Sequence, residues 1–277
     1  MSTPQEMSGV KRPTAFTPTA AVAALATGAT GEIGATTVTA RLWRDLAIAG
    51  VALLLLLLWD LSGLDLAVAR LFGSRSGFAA RNFEWLSRIG HDDARWLGGA
   101  LVLATLVNAV RPWTAWLTAR QRWSWLVLML AAAAMPALLK QASLTSCPWD
   151  LAEFGGAARY VSHWQFGLRD GGAGHCFPSG HASTAFALLS GWFVLRDAYP
   201  RAARRLLAAV LAAGLLLGLV QLARGAHYPS HTLWTGWLCW VLNALAAPWV
   251  NRGGGLSVAH VAGAPAPAAG PQDPAAP

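Results

Sequence analysis

Chemistry-bearing side chains gather in three short stretches of this chain. The first is Lys140 with the run Ser146-Cys147-Pro148-Trp149-Asp150. The second is Pro178-Ser179-Gly180-His181-Ala182-Ser183, and the third is Arg224-Gly225-Ala226-His227-Tyr228-Pro229-Ser230-His231. Two imidazoles and two cations are what metal-free phosphoryl transfer needs. One imidazole attacks phosphorus and forms a phosphoenzyme. The other protonates the leaving alkoxide. Lys and Arg hold the phosphate and neutralise its equatorial oxygens, Arg with bidentate geometry. Each feature alone has a plainer explanation: Lys140 as a snorkelling flank of an apolar helix, Ser179 as a helix N-cap. Neither explanation accounts for Lys, Arg and three His meeting at one side of one set of apolar segments.

Those segments must do the positioning. The chain has 277 residues, 55% of them hydrophobic and 12% charged, with 15 Trp and a mean hydropathy of +0.42. A soluble domain carries about 25% charged residues, so lipid is the expected solvent. Spans of about 20 apolar residues are expected at residues 43–62, 95–111, 123–139, 181–196, 205–223 and 232–250. The fold class is therefore all-α: an integral membrane bundle of about six transmembrane helices. Residues 65–72 and 79–89 are expected as short amphipathic helices on the outer surface, with Phe83, Trp85, Leu86 and Ile89 on the apolar side. Ser179 and His181 stand where a loop becomes the fourth span, and free N–H groups at a helix start suit an anion.

Loop charge orients the bundle. Arg111, Arg120 and Arg122 follow the second span, and Arg196, Arg201, Arg204 and Arg205 follow the fourth; both loops are expected to be cytoplasmic. Lys11, Arg12, Arg41 and Arg44 place the N-terminus on the same side. The longer loops 63–94 and 140–180 then face outward with the three motifs. Residues 1–40 are polar and Thr/Ala-rich, unlike a cleavable signal peptide, and read as a disordered cytoplasmic tail. Residues 41–250 form the membrane domain, and the Gly/Pro/Ala-rich stretch 251–277 reads as a second disordered tail. The expected location is a bacterial inner membrane, with both termini cytoplasmic and the active site periplasmic. The net charge of +8 reflects the positive-inside pattern; no nucleic-acid partner is implied, since no basic stripe with interleaved aromatics lies on a polar segment.

The three stretches resemble the type-2 phosphatidic acid phosphatase family, whose fold is shared with bacterial acid phosphatases and vanadium haloperoxidases. Its motifs are KxxxxxxRP, PSGH and SRxxxxxHxxxD, and PSGH matches completely at Pro178–His181. By that resemblance Lys140 binds phosphate, Ser179 and the Gly180 backbone are oxyanion donors, His181 is the general acid and His227 the nucleophile. No metal or organic cofactor is implied. Three positions depart from the motifs. Cys147 stands where the first motif has Arg. Gln221 stands where the third has Arg, with Arg224 one turn further along to supply the guanidinium. His231 stands where the family has the Asp that fixes the nucleophile's tautomer; a neutral His231 is expected to accept that hydrogen bond, with Asp150 or Glu153 as alternatives. The implied substrate is a lipid phosphate or diphosphate hydrolysed at the outer face, with membrane lipids as the other partners. A phosphotransferase using the same site is the nearest alternative. A non-enzymatic phosphate-lipid transporter is the alternative from another class, and it has no need of a nucleophile at His227. Nothing in the sequence bears on oligomeric state.

Of the three cysteines, Cys147 and Cys176 share the outer loop. A non-cytoplasmic compartment permits disulfides, and these two are expected to be bonded, tying the first motif to the segment that leads into PSGH. Closing a loop of roughly 30 residues contributes about 3–4 kcal/mol in the chain-entropy account. Two free thiols are the alternative. No CxxC or paired-His spacing points to a metal.

Overall fold

The computed structural model describes residues 19–87, 94–114 and 116–251. By their contacts the chain divides into two units, residues 1–40 and 41–277. The expected tails fall largely outside the described residues at 1–18 and 252–277, and so does Ile89.

Helix α1 (Thr19–Ser62) begins inside the stretch read as a tail. It stops because Gly63 takes a left-handed conformation (φ 71°), which glycine adopts without a Cβ penalty. The Ser62 hydroxyl closes the end by donating to the Trp59 carbonyl at 2.6 Å and accepting from Leu64 N at 3.2 Å. The short α2 (Leu64–Ala69) follows. Next comes a small antiparallel hairpin, β1 (Gly73–Ser74) and β2 (Gly77–Phe78), paired Gly73 to Phe78 and Ser74 to Gly77. A 3-10 turn (Ala79–Asn82) and α3 (Glu84–Ser87) complete this outer segment. Phe83 and Trp85 are exposed, so this segment presents its aromatics outward instead of packing them on the bundle.

The remaining helices are α4 (Ala94–Val110), α5 (Ala119–Gln141), α6 (Gly180–Phe186), α7 (Leu189–Leu195), α8 (Pro200–Ala223) and α9 (Pro229–Val250). Thr118 starts α5 with a capping box in which Gln121 answers its backbone N–H. Proline at the first position starts both α8 and α9. The apolar stretches lie where the sequence put them, but among the described residues four helices are long and apolar enough to cross a membrane: Thr37–Ser62 of α1, α5, α8 and α9. Two are shorter, Trp96–Val110 and Gly180–Leu195. The 17 residues of α4 span roughly 25 Å, against about 30 Å of hydrocarbon. Between α6 and α7 the ladder tightens to i→i−3 bonds, from Leu188 N to Ala185 O (3.0 Å) and Gly191 N to Leu188 O (3.0 Å). The Ser190 hydroxyl also donates to the Ala187 carbonyl at 2.9 Å, which favours such tightening.

The helices approach closely where side chains are small, as membrane helices do. A Cβ added to Gly214 would come within 2.4 Å of the Phe186 ring, and one on Gly218 within 2.4 Å of Thr232. So α6 and α9 both press on α8. Leu126, Met129, Ala132, Phe186, Leu189 and Val210 form the core beneath the α6 start. Leu54, Leu55, Leu58 and Leu61 point outward and are exposed; such a belt requires lipid rather than water. The molecule is a helical membrane protein.

Helix α9 is fastened to α1 by indoles one turn apart. Trp234 Nε1 donates to Asp60 Oδ2 (2.9 Å), Trp237 Nε1 to the Ala49 carbonyl (2.9 Å) and Trp240 Nε1 to the Asp45 carbonyl (3.1 Å). In hydrocarbon an indole N–H needs such a partner.

Candidate active site

The turn between α8 and α9 carries the expected nucleophile. Gly225 (φ 76°) ends α8 in the left-handed region, with Gly225 N donating to Leu222 O (2.9 Å) and Ala226 N to Gln221 O (2.8 Å). A side chain here would also strike the Phe78 ring, 2.3 Å from an added Cβ. The chain is thereby delivered at a fixed angle to His227, which is buried at 1% exposure.

The start of α6 is pinned against the same place. Ser179 N donates to the His231 carbonyl at 3.1 Å. The Thr235 hydroxyl lies 2.9 Å from both the Ser179 and the His231 carbonyl. Ser179 caps α6 through Ala182 N. As a result His181 Nδ1 lies 3.2 Å from His227 Nε2, two ring nitrogens from opposite motifs in hydrogen-bond contact. Burial, and after it the charges of His231, His181 and Lys140, push the His227 pKa well below its usual value. A neutral imidazole with one free lone pair is the nucleophilic form.

Lys140 lies in the last turn of α5, half-buried and close enough for its charge to act on His227. Its carbonyl meets His175 Nδ1 at 3.1 Å. Arg224 donates to Gln221 Oε1 at 3.3 Å. Its pKa is lowered first by burial and then by the charge of Arg81. Arg81 went unseen in the sequence. It reaches the site from the 3-10 turn after the hairpin, its guanidinium carbon 4.7 Å from the centre of the Trp149 ring, while Trp149 N donates to Gly225 O at 2.9 Å. No spacing rule links so distant a segment to the motifs.

Two expectations about the tautomer-fixing group need correction. His231 is buried beside His227, with ring centres 5.8 Å apart and steeply inclined, but the two rings share no hydrogen bond among the described residues. His231 Nδ1 has no partner there. Its ring sits among Tyr228, Phe177 and His163 instead. The acids named as alternatives are engaged elsewhere: Glu153 in a bidentate pair with Arg70 (2.6 and 3.2 Å), and Asp150 with Cys147 N (3.3 Å).

What faces His227 Nδ1 is Cys176, whose Sγ is 3.6 Å away and 3.1 Å from the Ala226 carbonyl. Cys147 and Cys176 form a disulfide, S–S 2.02 Å. The segments that it joins are also paired through Cys176 N to Thr145 O (3.0 Å) and His175 N to Ser143 O (2.8 Å). Buried Asp170 accepts from Ser146 N, Ser146 Oγ and Gly172 N (2.6, 2.8 and 2.9 Å). The Cys147, Cys176 and His227 atoms lie together within 4.8 Å, yet disulfide sulfurs are not the thiolates a metal takes, so this group does not fit a metal ion.

Two further acids escaped the sequence reading. Asp60 takes the indoles of Trp164 and Trp234 (both 2.9 Å) and lies 3.3 Å from His163 Nε2. Asp65 accepts from Trp59 Nε1 (2.8 Å), Ser230 N (3.0 Å) and the Ser230 hydroxyl, and burial raises its pKa. It anchors the first turn of α9 next to the nucleophile's turn. Below the site an apolar cavity of about 500 Å³ opens between α1, α6, α8 and α9, lined by Trp59, Phe186, Leu215, Leu233 and Trp237 among others. A smaller cleft of about 240 Å³ adjoins Leu139, Thr145, Phe177 and Pro178.

No curated protein and no solved structure matches the chain. Residues 121–254 match the model of the PAP2 superfamily, a stretch that holds Lys140, the PSGH segment and the His227 turn. On this match and the motifs it contains, residues 121–254 form a PAP2 superfamily region.

Proposed function

We propose that this chain is a membrane lipid phosphatase that works through a phosphohistidine on His227. The superfamily match supports phosphatase-type phosphoryl transfer in general. The observation that carries the specific reading is the 3.2 Å contact between His181 Nδ1 and the Nε2 of a buried His227. A substrate phosphoryl group enters between the two nitrogens. His227 Nε2 attacks phosphorus, the P–O ester bond breaks, and His181 gives its proton to the departing alkoxide. His181, now neutral, takes a proton from water as that water attacks the phosphohistidine. The P–N bond breaks, inorganic phosphate leaves and both imidazoles return to their starting forms. Lys140, the Gly180 backbone, Ser179 and Arg224 are assigned to the phosphoryl oxygens, and Arg81 to the outer side of the headgroup.

A lipid substrate is supported by the apolar cavity under the α6 start, which suits an acyl or isoprenoid chain. A non-cytoplasmic site is supported by the disulfide, since reducing compartments keep thiols free, and by the arginines Arg196, Arg201, Arg204 and Arg205 in the loop that separates α7 from α8. On this reading α4 and the α6–α7 pair complete six crossings despite their length.

The test is phosphate release by detergent-purified protein from lipid mono- and diphosphates with EDTA present. Release that persists in EDTA and is lost in His227→Ala supports the reading, as does trapping of radiolabelled phosphohistidine. No release from any lipid by folded protein overturns it. Release only when a lipid acceptor is added assigns the same site to phosphotransfer.

A further inference from the structure

His227 can attack through Nε2 only if Nδ1 carries the proton, so an acceptor must sit at Nδ1. The motif position for a carboxylate is occupied by His231, which makes no such bond. On the Nδ1 side stands the Cys176 Sγ, at 3.6 Å. A disulfide sulfur has no hydrogen. The Cys176 atom offered to Nδ1 can therefore accept and cannot donate. The other partner of that disulfide is Cys147, which stands where the first motif has its Arg. The two departures from the motifs thus meet at one nitrogen atom.

We propose that the Cys147–Cys176 disulfide is the positioning element that holds His227 in its Nδ1–H tautomer, through the Cys176 sulfur, in place of a carboxylate at position 231. The inference rests on the phosphohistidine reading above for its catalytic consequence. Without the cross-link Cys176 is still placed by its bond to Thr145 O and by the Asp170 hub, so the loop remains folded. It is then free to move by the fraction of an ångström that a tautomer-fixing hydrogen bond does not tolerate. The sulfur pair also fills the space against the Ala226 carbonyl (3.1 Å), where water would otherwise enter and serve either nitrogen.

The experiment compares four proteins: wild type, the Cys147→Ala/Cys176→Ala pair, His231→Asp, and all three substitutions together. The cysteine pair is expected to lower kcat about tenfold or more with KM within about twofold, since a wrong tautomer disables the nucleophile rather than binding. His231→Asp, which supplies a carboxylate at the motif position, is expected to restore most of that loss in the triple variant. A loop that matters only for folding would not be rescued by a carboxylate on α9. If the triple variant is folded and no faster than the cysteine pair, the proposal is overturned. The tautomer is read separately from the ¹⁵N shifts of His227 in histidine-labelled protein, assigned with His227→Ala. Nδ1–H is expected in wild type and a mixture in the cysteine pair, and an unchanged tautomer in the pair also overturns the proposal. That readout needs no turnover. A shifted tautomer in a protein that releases no phosphate would sink the phosphatase reading and leave the disulfide's role standing.

Discussion

Buried charge is handled in opposite ways at two levels of α1. Near residue 45, Asp45 and Arg196 are both almost fully buried and meet at 2.5 Å. Arg41 pairs with Asp197 beside them, and the Arg196 guanidinium lies over the Phe193 ring at 4.7 Å. There each cation has its anion, and the pairs join α1 to the end of α7. At the other level the buried His227 and His231 stand together with the half-buried His181 and Lys140, while Asp60 and Asp65 are spent on indoles, His163 and Ser230. Where charge is compensated within the protein, the arrangement supplies structure. Where imidazoles and Lys140 are collected around the turn that carries His227, the arrangement supplies a candidate site instead of a tie between helices.

The comparison yields expected outcomes of decreasing size. His227→Ala should remove turnover by on the order of 10⁴-fold or more and leave the melting temperature nearly unchanged; measurable single-turnover phosphohistidine in this variant would break the contrast. His181→Asn should cost about 10²–10⁴-fold in kcat, with less loss for esters whose leaving group needs no proton, checked by comparing alkyl with nitrophenyl phosphates. Arg196→Ala should do the reverse. It strands Asp45 in the bundle, at about 3–5 kcal/mol, lowering the denaturation midpoint while phosphate release per folded molecule stays the same. Arg81→Ala should raise KM several-fold, more for a diphosphate than for a monophosphate, with kcat close to wild type.

The smallest effect is in pH. His227 is held neutral in the folded protein, so its folded pKa lies below the unfolded value of about 6.5. Between those values the unfolded chain binds the proton and the folded one does not. Its contribution is therefore full above about pH 6.5 and is lost as pH falls toward the folded value. The melting temperature of wild type should fall through this window more steeply than that of His227→Ala. The acid limb of kcat/KM should lie below the ordinary histidine range.

Much of this arrangement was legible in the residues. Apolar run length located the helices, because hydrocarbon imposes it, and PSGH with its serine cap placed His181 at a helix start. The left-handed Gly63 that ends α1 and the Thr118 cap that begins α5 are explained by local rules once the helices are seen. What escaped depended on how distant segments cross. Arg81 enters because Phe78 packs on Gly225, a contact that no local pattern encodes. His231 has the spacing of a tautomer-fixing residue, but its ring turns among aromatics, which side-chain packing decides. The short α4 and the tightened turn inside Gly180–Leu195 show that hydropathy counts apolar residues without seeing how the backbone spends them. Trp234, Trp237 and Trp240 of α9 are hydrogen-bond donors to another helix, a role that apolar run length does not reveal.

That row of indoles has a consequence for how α1 can move. Each donates to one particular oxygen, at Asp45, Ala49 and Asp60. Turning α1 by a single residue swings its surface through roughly 100° and takes all three oxygens out of reach at once. A helix packed only by leucines could drift through intermediate angles in a fluid bilayer. This one has a keyed angular setting, and Asp60 and Asp65 hold their places around the His227 turn because the key allows no half-steps.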